Sequence, residues 1–211
     1  AWLRGRGDVD PARVAVIGHS EGGLIGPMLA VRDPRLAALV VMAGTAKNGV
    51  EVLKYQRSWP IENAPGLTSE ERARLTADAV REVVADTANP LPWMRWFRAY
   101  EPLPTARRVR QPALIVQGAL DRQVTAGQAD SLGAAMRAGG NRDVTVRVFP
   151  RLNHLFVVSE TDGSPAEYAA LTDVAQGEWL DPAFLEPLVA ASVRVSLGEG
   201  EKKTLDLKTT T

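Results

Sequence analysis

The sequence predicts an α/β fold, in which about four parallel strands are flanked by helices and a helical cap is inserted between the second and third strands. Two observations carry this prediction. Short apolar runs rich in Val and Ile alternate with segments of helical periodicity, which is the pattern of a parallel sheet. Between residues 46 and 110 the alternation stops, and no run there is typical of a strand.

The first predicted strand covers residues 13–18 and follows the turn signal Asp-Val-Asp-Pro at residues 8–11. A helix is expected directly after Gly22 and Gly23, because apolar residues recur there at helical spacing. Pro27 lies near the start of this helix, where proline is tolerated, and Pro34 marks its end.

Three further strands are predicted at residues 36–42, 112–118 and 144–149. Helices are expected between the last two strands, at about residues 125–138, and after the fourth, at about 165–191. This order of strands and helices indicates a parallel sheet covered by helices.

The connection across residues 46–110 is far longer than the few residues usual in compact domains. We therefore expect a helical cap there. Thr68 and Glu71 have the spacing of a capping box. An apolar stripe at helical spacing follows, made of Leu75, Ala79, Val80, Val83 and Val84. A second apolar cluster contains Trp93, Met94, Trp96 and Phe97.

Residues 1–45 and 111–195 are assigned to the α/β core, and residues 196–211, which differ in composition, to a tail. Residues 193–197 and 203–207 flank a Gly-Glu-Gly turn, which favours a hairpin. Alternatively, the first of these segments ends the last helix and the rest is disordered.

Composition excludes several classes of function. The 25 basic and 25 acidic side chains balance, which argues against nucleic-acid binding and polybasic membrane attachment. The longest apolar run, residues 36–43, is much shorter than the roughly 20 residues of a membrane span. The absence of cysteine excludes disulfides and thiolate metal sites, and two histidines exclude a multi-histidine metal site. No cofactor is expected, and no compartment, cytoplasmic or secreted, is assigned.

Residues 18–22, Gly-His-Ser-Glu-Gly, match G-x-S-x-G between a predicted strand and a predicted helix. This sharp strand-to-helix turn, the elbow, presents the hydroxyl of Ser20 at the helix N-terminus, where backbone N–H groups can stabilise an oxyanion. We expect small residues to be needed at Gly18 and Gly22, because larger side chains would clash there.

A nucleophilic serine needs a base, and only His19 and His154 are available. His19 belongs to the turn itself, so we predict His154, which follows the fourth strand; a satisfied, partly buried histidine is the alternative. Asp121 follows the third strand and is the predicted orienting carboxylate, with a helix-capping loop residue as the alternative. Asp143 and Glu101 are weaker candidates, because neither follows a strand end.

With Ser20, Asp121 and His154 in this order, the chain resembles α/β-hydrolases of the dienelactone-hydrolase-like and prolyl-oligopeptidase-like esterase group. The resemblance rests on three stretches, residues 16–23, 112–124 and 152–156, and it is strengthened by residues 92–102 and 163–168, which resemble a bacterial esterase branch.

The resemblance implies the C-terminal part of an α/β-hydrolase sheet. Family members have about eight strands with the elbow after the fifth, so we expect four strands and the loop with the second oxyanion donor to be missing ahead of residue 1. The elbow strand would then lie at an open edge, where we expect self-association and little activity from this chain alone.

The expected function is a serine hydrolase that cleaves small-molecule carboxylic esters through an acyl-enzyme. Ser20 would attack, His154 would transfer the proton, Asp121 would orient the imidazole, and the N–H of Glu21 would bind the oxyanion. Peptidase, thioesterase and lactonase activities are alternatives on the same triad. A non-catalytic binding remnant of the fold is the alternative from another class.

Five side chains are expected to line an apolar acyl pocket: Trp93, Trp96, Phe97, Leu155 and Phe156. The alternative for each of them is that it packs the cap onto the core.

Overall fold

Four parallel strands form one sheet whose spatial order follows the sequence, β1-β2-β3-β4. The computed structural model describes residues 2–86, 89–161, 163 and 167. The strands are β1 (Val16–His19), β2 (Leu39–Met42), β3 (Ala113–Gly118) and β4 (Val144–Phe149). Val41 pairs with Gly18 on one side and with Ile115 on the other. The predicted α/β fold with a parallel sheet is confirmed.

The described part of the chain forms six α-helices. They are α1 (Glu21–Arg32), α2 (Gly49–Glu62), α3 (Ser69–Ala85), α4 (Pro92–Ala99), α5 (Pro102–Ala106) and α6 (Gly127–Ala138). Helix α1 packs on β1 and β2, and α6 packs on β3 and β4. Their apolar sides bury the main core, which contains Leu39, Val41, Ile115, Leu132 and Met136.

The first strand is shorter than predicted, because residues 11–13 form a turn of 3-10 helix instead of extended chain. Asp10 caps this turn by accepting a hydrogen bond from the N–H of Ala12, 2.9 Å away. The strand therefore begins at Val16. Pro27 was expected near the start of the helix, but it is the seventh residue of α1 and lies past the first turn.

The connection between β2 and β3 carries helices α2 to α5. Thr68 and Glu71 form the predicted capping box at the start of α3. Of the predicted apolar stripe on α3, Val83 is buried but Val84 is half exposed. Helix α2 packs on α3 and on α4, whereas α5 packs on α1 and α6. The assignment of residues 46–110 to a single cap stays a prediction.

Strand β1 lies at one edge of the sheet among the described residues, and Ile17 on it is 63% exposed. Self-association through this edge stays a prediction. The expected helix at 165–191, the alternatives for residues 193–207 and the tail at 196–211 lie outside the described residues, Glu167 excepted. Among the helices described, none has the length and apolar character needed to cross a membrane.

Candidate active site

Ser20 lies in the sharp turn between β1 and α1, with φ 56° and ψ −112°. A Cβ at Gly18 would overlap the main-chain oxygen of Gly22, so glycine is required two residues before the serine. The expected clash two residues after the serine is wrong, because a Cβ at Gly22 would meet nothing within 4 Å. The tight position is the next one, Gly23, whose Cβ would lie 2.8 Å from Cα of Gly44.

His154 lies between Ser20 and Asp121 and is only 3% exposed. Its Nε2 is 2.9 Å from Oγ of Ser20, and its Nδ1 is 2.8 Å from Oδ2 of Asp121. An ionised carboxylate only accepts hydrogen bonds, so these partners assign the proton to Nδ1 and leave Nε2 of the neutral ring to accept from the serine hydroxyl. The structure thus brings together three side chains that follow three different strands.

The carboxylate of Asp121, at the carboxyl end of β3, accepts four hydrogen bonds from described residues. Its Oδ1 accepts from the N–H groups of Gln123 and Val124, both at 2.8 Å. Its Oδ2 accepts from Nε2 of Gln117, 2.7 Å away, and from the imidazole of His154. The residue at the N-terminus of α6 is Ala126, so the carboxylate of Asp121 is not the cap of that helix.

The two weaker carboxylate candidates lie elsewhere. Asp143 precedes β4, and its main-chain oxygen accepts from the N–H of Ala113 at the start of β3, at the opposite end of the strands from Asp121. Glu101 accepts a 2.6 Å hydrogen bond from Nδ2 of Asn48, which caps α2.

The loop that carries His154 is held by the side chains of Asn153 and Glu167. Oδ1 of Asn153 accepts from the N–H of Leu155 at 2.9 Å, and its Nδ2 donates to Glu167 at 3.3 Å. Partial burial raises the pKa of the Glu167 carboxyl, but hydrogen bonds from Thr161, Ser159 and Asn153 outweigh burial and bring the pKa below its usual value. Beneath the loop, a Cβ at Gly118 would lie 2.6 Å from the main-chain oxygen of Asn153.

Backbone strain is concentrated around this site. Among the described residues other than glycine, three have positive φ: Ser20, Ala43 and Phe156. Ala43 directly follows β2, and Phe156 lies two residues after His154. A positive φ is an unfavourable backbone conformation for residues other than glycine, and such residues occur preferentially at functional sites.

The side chains of Arg122 and Tyr55 lie close to the loop that carries Asp121. The guanidinium carbon of Arg122 is 5.3 Å from the ring centroid of Trp59 on α2. Tyr55, also on α2, is about half buried; burial raises the pKa of its phenol, and the nearby charge of Arg122 opposes that rise. The contacts of Arg122 hold α2 against the loop that carries Asp121.

Glu21, the predicted oxyanion donor, is the first residue of α1. The first N–H groups of a helix have no partner within the helix, and they point toward the space beyond its N-terminus. The N–H of Glu21 therefore lies at the end of α1 that adjoins Ser20.

A cavity of about 250 Å³ opens beside Ser20 between α1, α2 and α4. Trp93 and Phe97 stack in parallel on its wall, with ring centroids 5.3 Å apart. Phe97 is held in place by the backbone of Gly49, where a Cβ would lie 2.5 Å from its ring. The other lining residues are Glu21, Leu24, Thr45, Val52, Leu53, Gln56, Met94 and Val124.

Of the five residues predicted to bind substrate, Trp93 and Phe97 line this cavity. Trp96 instead stacks on Tyr100, 4.7 Å away. Phe156 is fully buried in a second core cluster, and Leu155 is partly buried in the loop of His154. A larger, open depression of about 660 Å³ runs beside β1 and touches none of the site residues, so we take the smaller cavity as the candidate binding site.

Sequence reasoning missed Gln117, Asn153 and Glu167. Gln117 could have been noticed, because it is the single polar side chain inside an otherwise apolar predicted strand. The sequence offers no comparable signal for Asn153 or Glu167, whose importance comes from contacts between separate parts of the loop.

The sequence profile of the prolyl oligopeptidase family matches residues 1–177. Esterase EstD of Thermotoga maritima is 29% identical over 163 residues, which are 75% of this chain and 39% of that relative. The chain thus spans well under half the length of this curated relative.

Solved structures are similar at lower identity. The Pyrococcus furiosus esterase PF2001 is 14% identical with a TM-score of 0.50, covering 85% of this chain and 58% of that one. An acylaminoacyl peptidase of Pyrococcus horikoshii is 19% identical with a TM-score of 0.49, covering 88% and 25%. At these identities, the likeness to the Pyrococcus furiosus protein concerns the fold alone.

Proposed function

Because the chain belongs to the prolyl oligopeptidase family, as its resemblance to such hydrolases predicted, we propose that it provides the catalytic centre of a serine hydrolase that cleaves carboxylic esters. One observation carries the proposal. The hydroxyl of Ser20, the imidazole of His154 and the carboxylate of Asp121 are joined by two hydrogen bonds of 2.9 and 2.8 Å. This is the arrangement that activates a serine nucleophile.

In the first half of the reaction, Oγ of Ser20 attacks the ester carbonyl while Nε2 of His154 takes its proton. Asp121 holds the ring with Nδ1 protonated and stabilises the imidazolium that forms. The N–H of Glu21 donates to the developing oxyanion. Nε2 then returns the proton to the leaving alkoxide, the carbonyl–oxygen bond breaks, and the alcohol departs from an acyl-serine.

In the second half, water replaces the alcohol. Nε2 of His154 takes a proton from the water as its oxygen attacks the acyl carbonyl, and the same proton returns to Oγ of Ser20 as the acyl–serine bond breaks. The carboxylic acid leaves, and the serine hydroxyl is restored. Both halves use the same base and the same oxyanion donor.

The lining of the cavity beside Ser20 is suited to an apolar acyl group. Most of its lining is aliphatic or aromatic, and Glu21 is its one ionisable residue apart from the nucleophile. A cavity of about 150 Å³ can hold benzene, so a volume of about 250 Å³ suits an acyl group somewhat larger than a phenyl ring.

Esters are favoured over amides and thioesters because a similar protein is named an esterase. The family name indicates peptide bonds as the second candidate. The test is to compare, in the full chain, hydrolysis of a p-nitrophenyl ester, the matching p-nitroanilide and a matching thioester. A higher kcat/KM for the anilide would replace the ester proposal with a peptidase.

Ser20→Ala tests the catalytic centre itself, with Ser131→Ala, an exposed serine on α6, as the matched control. Wild type and the control should react with a fluorophosphonate probe and hydrolyse the ester. Ser20→Ala should do neither, with a loss of about 10⁶ in kcat. Labelling that persists in Ser20→Ala would contradict the assignment, and a folded wild type that neither labels nor hydrolyses would indicate a binding remnant.

A further inference from the structure

Gln117 is a polar side chain in the interior of β3 that takes no part in the steps above. It is 0% exposed. Its Nε2 donates to Oδ2 of Asp121, 2.7 Å away, and to the main-chain oxygen of Val124, 2.9 Å away. Its Oε1 is buried and has no hydrogen-bond partner among the described residues.

The oxygen that Gln117 binds is the one that faces the imidazole. Oδ2 of Asp121 accepts from both Gln117 and Nδ1 of His154, while among the described residues Oδ1 accepts from the backbone of Gln123 and Val124 alone. In the described part of the chain, Gln117 and His154 are the two side chains seen to donate to this carboxylate. The hydrogen bond from Gln117 therefore positions Oδ2 and offsets part of the negative charge on this oxygen.

The orientation of the Gln117 amide is determined by its partners. Both atoms near Nε2 are acceptors, so a flipped amide would place oxygen against oxygen. The cost of this orientation is the unpaired Oε1, and a buried polar atom without a partner calls for an explanation. Gln111 gives a contrast: it is also buried, its Nε2 donates to the main-chain oxygen of Ala30, and its Oε1 accepts from the N–H of Arg110.

We propose that Gln117 is a positioning residue for the hydrolytic reaction, which holds the carboxylate of Asp121 in line with His154 and limits the negative charge that the imidazole experiences. This inference rests on the proposed function. Without the donor, the carboxylate gains freedom to rotate about its side-chain bonds, and its uncompensated charge favours the protonated imidazole more strongly. A protonated imidazole cannot accept the proton of Ser20.

The test is the pH dependence of kcat/KM for a p-nitrophenyl ester in the full chain, with variants Gln117→Leu and Gln111→Leu. Gln117→Leu should lower kcat about tenfold with little change in KM. It should also move the midpoint of the acid limb upward by about half a pH unit. Gln111→Leu also removes a buried amide, so it should lower the Tm but leave the midpoint in place.

Gln117→Glu keeps the size of the side chain and serves if Gln117→Leu does not fold. Two facing carboxyl groups share one proton, so activity should fall as the pH rises and that proton is lost. The proposal is overturned if the foldable Gln117 variant has the wild-type kcat and midpoint. Ser20→Ala in the same assay separates this outcome from failure of the proposed function, because it tests the nucleophile without altering Asp121.

Discussion

Nε2 of His19 lies 2.8 Å from the main-chain oxygen of His154. The residue before the candidate nucleophile is therefore hydrogen-bonded to the backbone of the candidate base. Their rings are also in contact, with centroids 5.0 Å apart. The carbonyl can only accept, so His19 donates, and this bond joins the end of β1 to the loop that follows β4.

We expect His19→Ala to lower kcat by about two- to tenfold, because one neutral hydrogen bond that positions His154 is lost. KM for a small ester should change little. His19→Gln can still donate to the same carbonyl and should recover part of the loss. Steady-state kinetics of the two variants check this, and equal rates for wild type and His19→Ala would show that the bond has no role in positioning.

Ser20, His154 and Asp121 should behave as one unit. We expect Ser20→Ala and His154→Ala each to reduce kcat by about 10⁶, and the double variant to lose no more than either single one. Asp121→Asn should cost about 10⁴, because the imidazole then favours the wrong tautomer. Turnover by His154→Ala near the wild-type rate, or additive losses in the double variant, would contradict the proposed roles.

Phe97 should limit the size of the acyl group. Phe97→Ala enlarges the cavity beside Ser20, so the acyl length with the highest kcat/KM should increase. Trp96→Ala is the control, since Trp96 stacks on Tyr100 outside the lining. The measurement is kcat/KM over p-nitrophenyl esters of increasing acyl length. A flat profile that Trp93→Ala and Phe97→Ala both leave unchanged would refute the pocket.

Gly118 and Gly139 provide a matched pair of stability variants. A Cβ at either position would overlap a main-chain oxygen, that of Leu152 or that of Arg107. Both Gly118→Ala and Gly139→Ala should therefore lower the Tm by several degrees. Only Gly118→Ala displaces the loop of His154, so only it should also lower kcat, measured at a temperature where both variants are folded. A normal kcat in Gly118→Ala would show that the loop tolerates the shift.

The protein should lose stability in acid partly because the carboxylate of Glu167 becomes protonated. Its pKa is below the usual value in the folded state, so its contribution is present above about pH 4.3, the unfolded value, and is lost as the pH falls through the folded pKa. Glu167→Gln should therefore show a smaller decrease in unfolding free energy on acidification. Urea titrations at several pH values measure this, with Glu82→Gln on the exposed side of α3 as the control.

The positions of the four strands along the chain were predictable from the sequence, because each strand is a short apolar run next to turn signals or helical segments. The start of β1 was not, since Asp10 forms a capped turn with Ala12 that apolar patterning does not reveal. The requirement for small residues around Ser20 was predicted partly at the wrong position. Gly23 rather than Gly22 is tightly packed, because the contact is made with Gly44, a residue remote in sequence.

The meeting of Ser20, Asp121 and His154 followed from one rule, that the carboxyl ends of parallel strands share an edge. Their catalytic roles stay predictions. The partners of these residues could not be foreseen in the same way, because the bond between His19 and His154 depends on how two distant loops pack. Phe156 resembled a substrate contact in sequence but lies in the second core cluster, where its φ is positive.

The sequential order of the strands has a consequence for synthesis. Ser20 and His154 are separated by 134 residues. At roughly 5–20 residues per second, a ribosome takes roughly 7–27 s to make the interval between them. During that time β1, β2 and β3 can assemble in the order in which they emerge, but His154, the proposed base of Ser20, has not yet been made. If Ser20 and His154 have the proposed roles, a fluorophosphonate probe should react only with nascent chains in which His154 has already been made and folded, so its reaction would time this step of co-translational folding.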